Sequence, residues 1–446
     1  MHKYTSIDLF SGPGGLATGF RWGGVKPLIA VEWSDWTVQT YAASHDAEIF
    51  ELEKYINGTL ENVESYFSKS EKTLLIHGDI NKVEGSLIKK ILTCRFGVDS
   101  VDIVTGGAPC ESFSMAGDRK EDDDRNTLFI NILRIAREVD SKMFLFENVK
   151  GLFSKKLDGK HGKMYETICD DFERKIEGKP SFKLASRDKD VVLLKAVNYG
   201  VPQNRERLFL VGINEKYKNA KFIYPNPTHG PNTDYQYVTV ADAILDLPVI
   251  ESGEENNYYS YDTMVSKEQQ LFLNYMRGEY SQPPEHLNFN EHSLSVHKAP
   301  GHIQKMKQRL SLIKQGEGMQ SAYNRLILEG KEDLVKECFP KKIYAARNRR
   351  LKPNEPSFTV TSHCLDEMVH PIQDRGLSPR EVARLQSFPD WYIFKGPFTK
   401  FHSDPEQDLY EQIGDAIPPL LAYALVKEVV KTLNSITENS RNEGIL

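Results

Sequence analysis

The sequence predicts an α/β protein: a mostly parallel, mixed sheet with helices on both faces, joined to a smaller second domain. Two observations carry this. Through the first half of the chain, short apolar runs recur between helical stretches, and each run is continuous rather than alternating, as strands buried on both faces must be. After about Asn214 that rhythm stops, and a polar stretch rich in Asn, Tyr, Pro and Lys follows. A chain of 446 residues agrees with two bodies, since one hydrophobic core rarely serves more than about 250–300 residues.

The elements read in order. Thr5 to Phe10 is a strand, followed by a glycine-rich turn and a helix from Leu16. Pro27 to Glu32 is a second strand and Trp36 to Ser44 a helix. Leu74 to Asp79, Val101 to Val104 and Met143 to Glu147 are three further strands, and Val191 to Leu194 with Arg207 to Gly212 make a closing pair. Residues 1–214 thus form one body and 215–356 a smaller domain. Residues 357–446 follow, opening on a helix from Ser378 to Ser387 with Ser378 as cap and Pro379 and Glu381 in its first turn. Leu420 to Leu433 is the last helix, and the polar residues after it are expected to fray.

Composition excludes several classes. Net charge is −6, so a polyanionic partner would have to meet a local basic surface. The candidate is Lys341, Lys342, Arg347, Arg349, Arg350 and Lys352, six cations before the first acid at Glu355. The five cysteines (Cys94, Cys110, Cys169, Cys338, Cys364) are odd in number and form no CxxC pair. That argues against a disulfide framework and against a zinc site, and no metal is expected. With neither a signal-peptide layout nor about 18 consecutive apolar residues, a cytoplasmic protein off the membrane is expected.

Chemistry gathers at the carboxyl ends of the strands, where open α/β sheets bind ligands. After the first comes Phe10-Ser11-Gly12-Pro13-Gly14-Gly15, whose glycines let the backbone approach a ligand. Glu32 ends the second strand, suited to ribose hydroxyls, and Asp79 ends the third, suited to an adenine amino group. After the fourth lies Gly106-Gly107-Ala108-Pro109-Cys110-Glu111-Ser112-Phe113-Ser114, a thiol in a turn stiffened by proline. Glu147-Asn148-Val149 ends the fifth, and burial there would raise the acid's pKa toward neutrality. Arg205 and Arg207, in Gln203-Asn204-Arg205-Glu206-Arg207, alternate along a strand and are expected on one face, able to hold phosphate or a base oxygen and favour a thiolate.

These pieces, with Arg380-Glu381-Val382-Ala383-Arg384-Leu385-Gln386-Ser387-Phe388-Pro389-Asp390 and Gln412-Ile413-Gly414-Asp415-Ala416-Ile417-Pro418-Pro419, stand in the order of the cytosine-5 DNA methyltransferases. The chain resembles that family over nearly everything outside 215–356. It departs where Ala108 replaces the usual proline, Glu111 the usual glutamine and Asp415 the usual asparagine, the last bearing on cofactor affinity.

The resemblance implies a Rossmann-like fold dependent on S-adenosylmethionine, with residues 1–214 as catalytic and cofactor-binding core. It implies that 215–356 form a target-recognition domain and that 357–446 return to complete the core. Cys110 would add to cytosine C6, Glu147 would contact N3 and the exocyclic amine, and Arg205, supported by Arg207, would face the base oxygen. The cofactor would meet Phe10, Gly12, Gly14, Glu32, Trp33, Asp79, Ile80, Leu128, Asp415 and Ala416. The target base must flip out of double-stranded DNA, under a lid spanning Glu111 to Asn126, and the run from Lys341 to Lys352 would line the DNA cleft. The implied setting is a prokaryotic restriction-modification system, with a cognate endonuclease as possible partner and a monomer sufficient for activity. An RNA cytosine-5 methyltransferase on the same scaffold is the alternative, since Cys338-Phe339-Pro340-Lys341 faintly resembles the Cys-Phe-Thr signature of that branch but lacks the threonine.

Overall fold

The computed structural model describes residues 3–108, 128–157, 159–259, 266–290, 292–400, 404 and 406–442, the side chains of 440–442 excepted. The chain divides into two compact units. The first comprises 1–195, 206–226 and 421–446, and the second 196–205 and 227–420.

The first unit is built on a nine-stranded sheet. Its strands begin with β1 (Tyr4–Leu9), β2 (Val25–Glu32), β3 (Glu48–Glu51), β4 (Leu74–His77), β5 (Ile103–Gly107) and β6 (Met143–Val149). A small separate hairpin, β7 (Lys156–Leu157) with β8 (Lys160–His161), precedes β9 (Phe182–Leu184) and β10 (Leu193–Lys195). Two more follow, β11 (Gln203–Asn204), which belongs to the second unit, and β12 (Glu206–Asn214). The order across the sheet is β10-β12-β6-β5-β1-β2-β4-β3, with β9 also on β12. Strands β1 to β6 pair in parallel, while β12 runs antiparallel to β6, β9 and β10.

This order fixes the site. The chain leaves β1 toward β2 and later returns to β1's other side as β5. The β1/β5 boundary is therefore the topological switch point, and the crevice beyond its carboxyl ends is where such a sheet binds ligands. The central strands hold their position by apolar continuity: Ile7, Leu9, Ile29, Val31, Ile103, Val104, Phe144, Leu145 and Phe146 are all buried.

Two strands of the main sheet escaped the sequence reading, β3 and β9. Both are short edge segments interrupted by charge (Glu-Ile-Phe-Glu and Phe-Lys-Leu), as sheet margins commonly are.

Among the described residues, the regular structure of the second unit is mostly helix, joined by long irregular stretches. Its best-defined element is the helix Pro379–Leu385, whose Ser378 and Glu381 form a reciprocal capping box and whose seven residues are all buried. Arg384 grips Asp390 with two hydrogen bonds of 2.6 Å and also reaches Asp246. Arg375 binds both oxygens of Glu381.

The Arg384–Asp246 pair ties this helix to residues before 357, and by contacts 357–420 group with the second unit and 421–446 with the first. The final helix also runs further than read, over Pro419–Asn442. Ile436, buried beyond the expected end, continues the apolar face of Val429 and Leu433. Thr437 returns its hydroxyl to the Leu433 carbonyl.

Candidate active site

At the end of β1 the chain turns through three positive φ values, Phe10 (53°), Gly12 (54°) and Gly14 (96°), before the helix α1 (Gly15–Trp22). A Cβ at Gly12 would meet nothing within 4 Å, so the glycine serves its backbone conformation and leaves open space above the turn. Glu32 ties this turn to β2. Its Oε2 accepts from Gly12 N (2.8 Å) and its Oε1 from Trp33 N (2.9 Å) and Ser34 N (3.1 Å). Burial pushes this carboxyl up, against the pull of those three N–H donors.

Trp33 follows with its ring 57% exposed. Its carbonyl is held by His77 Nε2 at 3.2 Å, which also meets Asp35 Oδ1 at 3.0 Å, while His77 Nδ1 meets Glu51 Oε2 at 3.0 Å. His77 therefore pins the carboxyl ends of β2, β3 and β4 together.

Asp79, exposed, caps the short turn Ile80–Lys82 by accepting from Asn81 N at 2.9 Å, and Ile80 is buried beside it. Arg134, from the helix Ile130–Glu138, clasps this turn through the carbonyls of Ile80 (2.9 Å) and Val83 (2.8 Å). Asn131 reaches Asn81 Oδ1 at 2.9 Å. Leu128, just before that helix, packs half-buried against the core.

Two buried polar atoms beneath the turn have no partner among the described residues, Asp8 Oδ2 and Ser11 Oγ. Burial pushes the Asp8 carboxyl up to about 7, opposed by the Thr105 hydroxyl on its Oδ1 and reinforced by Glu32. An exposed aromatic ring, a carboxylate at a strand end, open space over glycine and unpartnered polar atoms fit a nucleoside-bearing ligand with a polar tail.

The catalytic candidates lie one strand further. Cys110 and the lid from Glu111 to Asn126 fall outside the described residues, which stop at Ala108 and resume at Leu128. Glu147 sits opposite Gly107 on β5 and opposite Phe209 on β12. It is buried, and its Oε1 meets Arg207 Nε at 3.0 Å. A Cβ at Gly107 would stand 2.7 Å from Glu147 Oε2, so the carboxylate has room only because residue 107 is glycine. Asn148 turns the other way, toward the Ala108 carbonyl (3.4 Å).

Arg205 lies between β11 and β12 and groups with the second unit, where Gln203 and Asn204 pair with Ser357 and Phe358. Its buried guanidinium donates to the carbonyls of Val360 (2.7 Å) and Ala416 (3.0 Å). Ala416 caps the helix Leu409–Asp415, and Asp415, exposed, accepts from Gln407 Nε2 at 2.9 Å.

The comparisons decide the family. The model of the C-5 cytosine-specific DNA methylases matches residues 4–65 and 50–431. The chain belongs to that family. It is 29% identical over 426 residues to the type II methyltransferase M.DdeI of Desulfomicrobium norvegicum, covering 95% of this chain and 88% of the relative. To M.XorII of Xanthomonas oryzae it is 29% identical over 444 residues, 98% and 87% of the two chains. A solved E. coli prophage protein, described as a DNA modification methyltransferase, shares the fold at TM-score 0.67 and 23% identity, over 97% of this chain and all of the other.

As a C-5 cytosine-specific DNA methylase, the chain is an enzyme that takes its methyl group from S-adenosylmethionine, and the DNA reading prevails over the RNA alternative. Among the described residues, no helix is long and apolar enough to cross a membrane.

Sequence reading missed His77, Arg134 and Asn131, which position the pocket without standing in any motif. The partners of the basic run were likewise not visible in sequence. Arg350 is buried on carbonyls and Asp374, Arg347 pairs with Asp366, Arg349 with Glu367 and Lys352 with Glu355. Four of the six cations are thus held by acids of the chain itself.

Proposed function

We propose that this methyltransferase modifies C5 of a flipped-out cytosine in one specific duplex sequence, as the modification member of a type II restriction-modification pair. The observation that carries the proposal is the Glu147–Arg207 pair, packed against Gly107 and three residues in sequence from the Cys110 thiol. The type II relatives support the setting, in which a cognate endonuclease is the expected partner, the cytoplasm the expected place and a monomer sufficient.

Cytosine C5 is a poor nucleophile until a group adds to C6. In our reading the Cys110 thiolate makes that bond, and the ring becomes an enamine. Glu147, oriented by Arg207, hydrogen-bonds N3 and the exocyclic amine where negative charge develops. When bound, S-adenosylmethionine supplies the electrophilic methyl that C5 takes; C5 then loses its proton and Cys110 leaves by elimination. Glu32 would hold the ribose, Trp33 the adenine face, Asp79 and Ile80 the adenine edge, and Phe10, Gly12 and Gly14 the methionine part. Leu128, Asp415 and Ala416 are carried over from the family as further contacts. Arg205, assigned by resemblance to the base oxygen, has contacts that support a positioning role for Val360 and Ala416.

The test is covalent trapping. Duplex DNA carrying 5-fluorocytosine at the target should form a denaturation-resistant complex with the wild type in the presence of cofactor. Cys110→Ser should form none while still binding DNA. Trapping by the serine variant would remove Cys110 from the mechanism.

A further inference from the structure

We propose that the helix Gln304–Ser311 is the DNA-reading element of this enzyme, with Lys305 and Lys307 on phosphates and Gln304 and Gln308 on base edges. The inference rests on the function proposed above and adds the element that chooses the sequence.

The first observation is charge. From His292 to Gly316 the chain holds five cations (Lys298, Lys305, Lys307, Arg309, Lys314) and no carboxylate. None of the five forms an ion pair among the described residues. An ordinary solvated helix face balances its charge, and the neighbouring helices here do so. Arg325 pairs with Glu317 and Glu329, Lys331 with Glu329 and Lys336 with Asp333. The unbalanced helix sits among balanced ones.

The second observation is orientation. Leu310 and Ile313 enter a small core with Met319, Ala322, Leu326 and Val335. The opposite face therefore carries Gln304, Lys305, Gln308 and Ser311, at helical spacing, and all four are exposed. The Gln304 and Gln308 amides make no hydrogen bond among the described residues. Ile303, at the N-cap, is 74% exposed.

The third is rigidity. Arg350 donates to the carbonyls of Leu310 and Ile313, both at 2.6 Å, and Arg325 to that of Leu312 at 2.7 Å. Cations thus satisfy the carbonyls a helix leaves open at its C-terminus. The cation that sequence placed on DNA instead anchors the helix that presents the others.

Amide side chains read adenine through N6 and N7, and an exposed β-branched methyl group suits the thymine methyl. Lysines contribute mainly phosphate contacts, which set affinity and its salt dependence rather than sequence.

The test uses the full-length enzyme with S-adenosylhomocysteine and a duplex of about 30 base pairs. In Lys305→Gln/Lys307→Gln, the slope of log affinity against log salt should become shallower by about 2, with binding about tenfold or more weaker near 0.1 M salt. Melting temperature and S-adenosylhomocysteine affinity should not change. In Gln308→Ala, once the wild-type target is mapped by methylation sequencing, discrimination at one base pair should narrow roughly 5- to 150-fold. An unchanged salt slope and an unchanged target profile would overturn the proposal. If the double variant loses the steep slope while the wild type transfers no methyl group, the result would support the helix and contradict the enzymatic reading instead.

Discussion

Arg207 and Glu147 meet at 3.0 Å across two antiparallel strands whose register sets Arg207 opposite Val149, one diagonal step from Glu147. Diagonal neighbours on one face of an antiparallel pair lie within reach of long side chains. The pairing is thus written into the register, and it orients the acid proposed to meet the target base.

Removing the acid should cost the rate. Glu147→Gln keeps the shape and loses the proton function, and single-turnover methyl transfer should fall by about 10²- to 10⁴-fold. Arg207→Ala should lower the same rate by less, because the carboxylate remains but loses its orienting partner. A near-normal rate in Glu147→Gln would take this residue out of the mechanism.

Gly107→Ala places a methyl group 2.7 Å from Glu147 Oε2. The carboxylate must move, so turnover should drop while S-adenosylhomocysteine affinity stays within about twofold. Full activity would show that Glu147 needs no fixed position.

His77→Ala should loosen the Trp33 carbonyl and weaken S-adenosylhomocysteine binding by up to about tenfold, the worth of one or two hydrogen bonds. Calorimetry would measure it, with a circular-dichroism melt confirming the fold. Unchanged affinity would show that Trp33 needs no such anchor.

Asp8 gives a pH dependence. Its folded pKa, about 7, lies above the ordinary 3.8, so the folded state holds this proton more tightly than the unfolded chain. Its contribution to stability is complete below about pH 4 and is lost as pH rises through about 7. Asp8→Asn removes the burdened charge and keeps an acceptor for Thr105. The variant should melt above the wild type at pH 8, with the gap closing toward pH 5. An equal or lower melting temperature at pH 8 would contradict this.

The sheet was legible because its central strands are unbroken apolar runs ending in chemistry, from Leu9 before the glycine turn to Phe146 before Glu147. The edges were not, since Glu48–Glu51 and Phe182–Leu184 are too short and too charged to announce a strand. The motifs named candidate contacts of the pocket, but not His77 or Arg134, whose places depend on three-dimensional neighbours 26 to 54 positions away. The partners of the run from Lys341 to Lys352 were hidden because charge in sequence is blind to partners: Arg347 and Arg350 find their acids at Asp366 and Asp374. The placement of Arg205 was not legible either, because it follows from two residues of pairing with Ser357 and Phe358.

The most direct measurement is the identity of the methylated base. Purified protein would be incubated with unmethylated duplex DNA and labelled S-adenosylmethionine, and the DNA digested to nucleosides for mass spectrometry. The account predicts label in 5-methyldeoxycytidine, and none with Cys110→Ser. Label in another base, or no label from well-folded protein that binds S-adenosylmethionine, would contradict it.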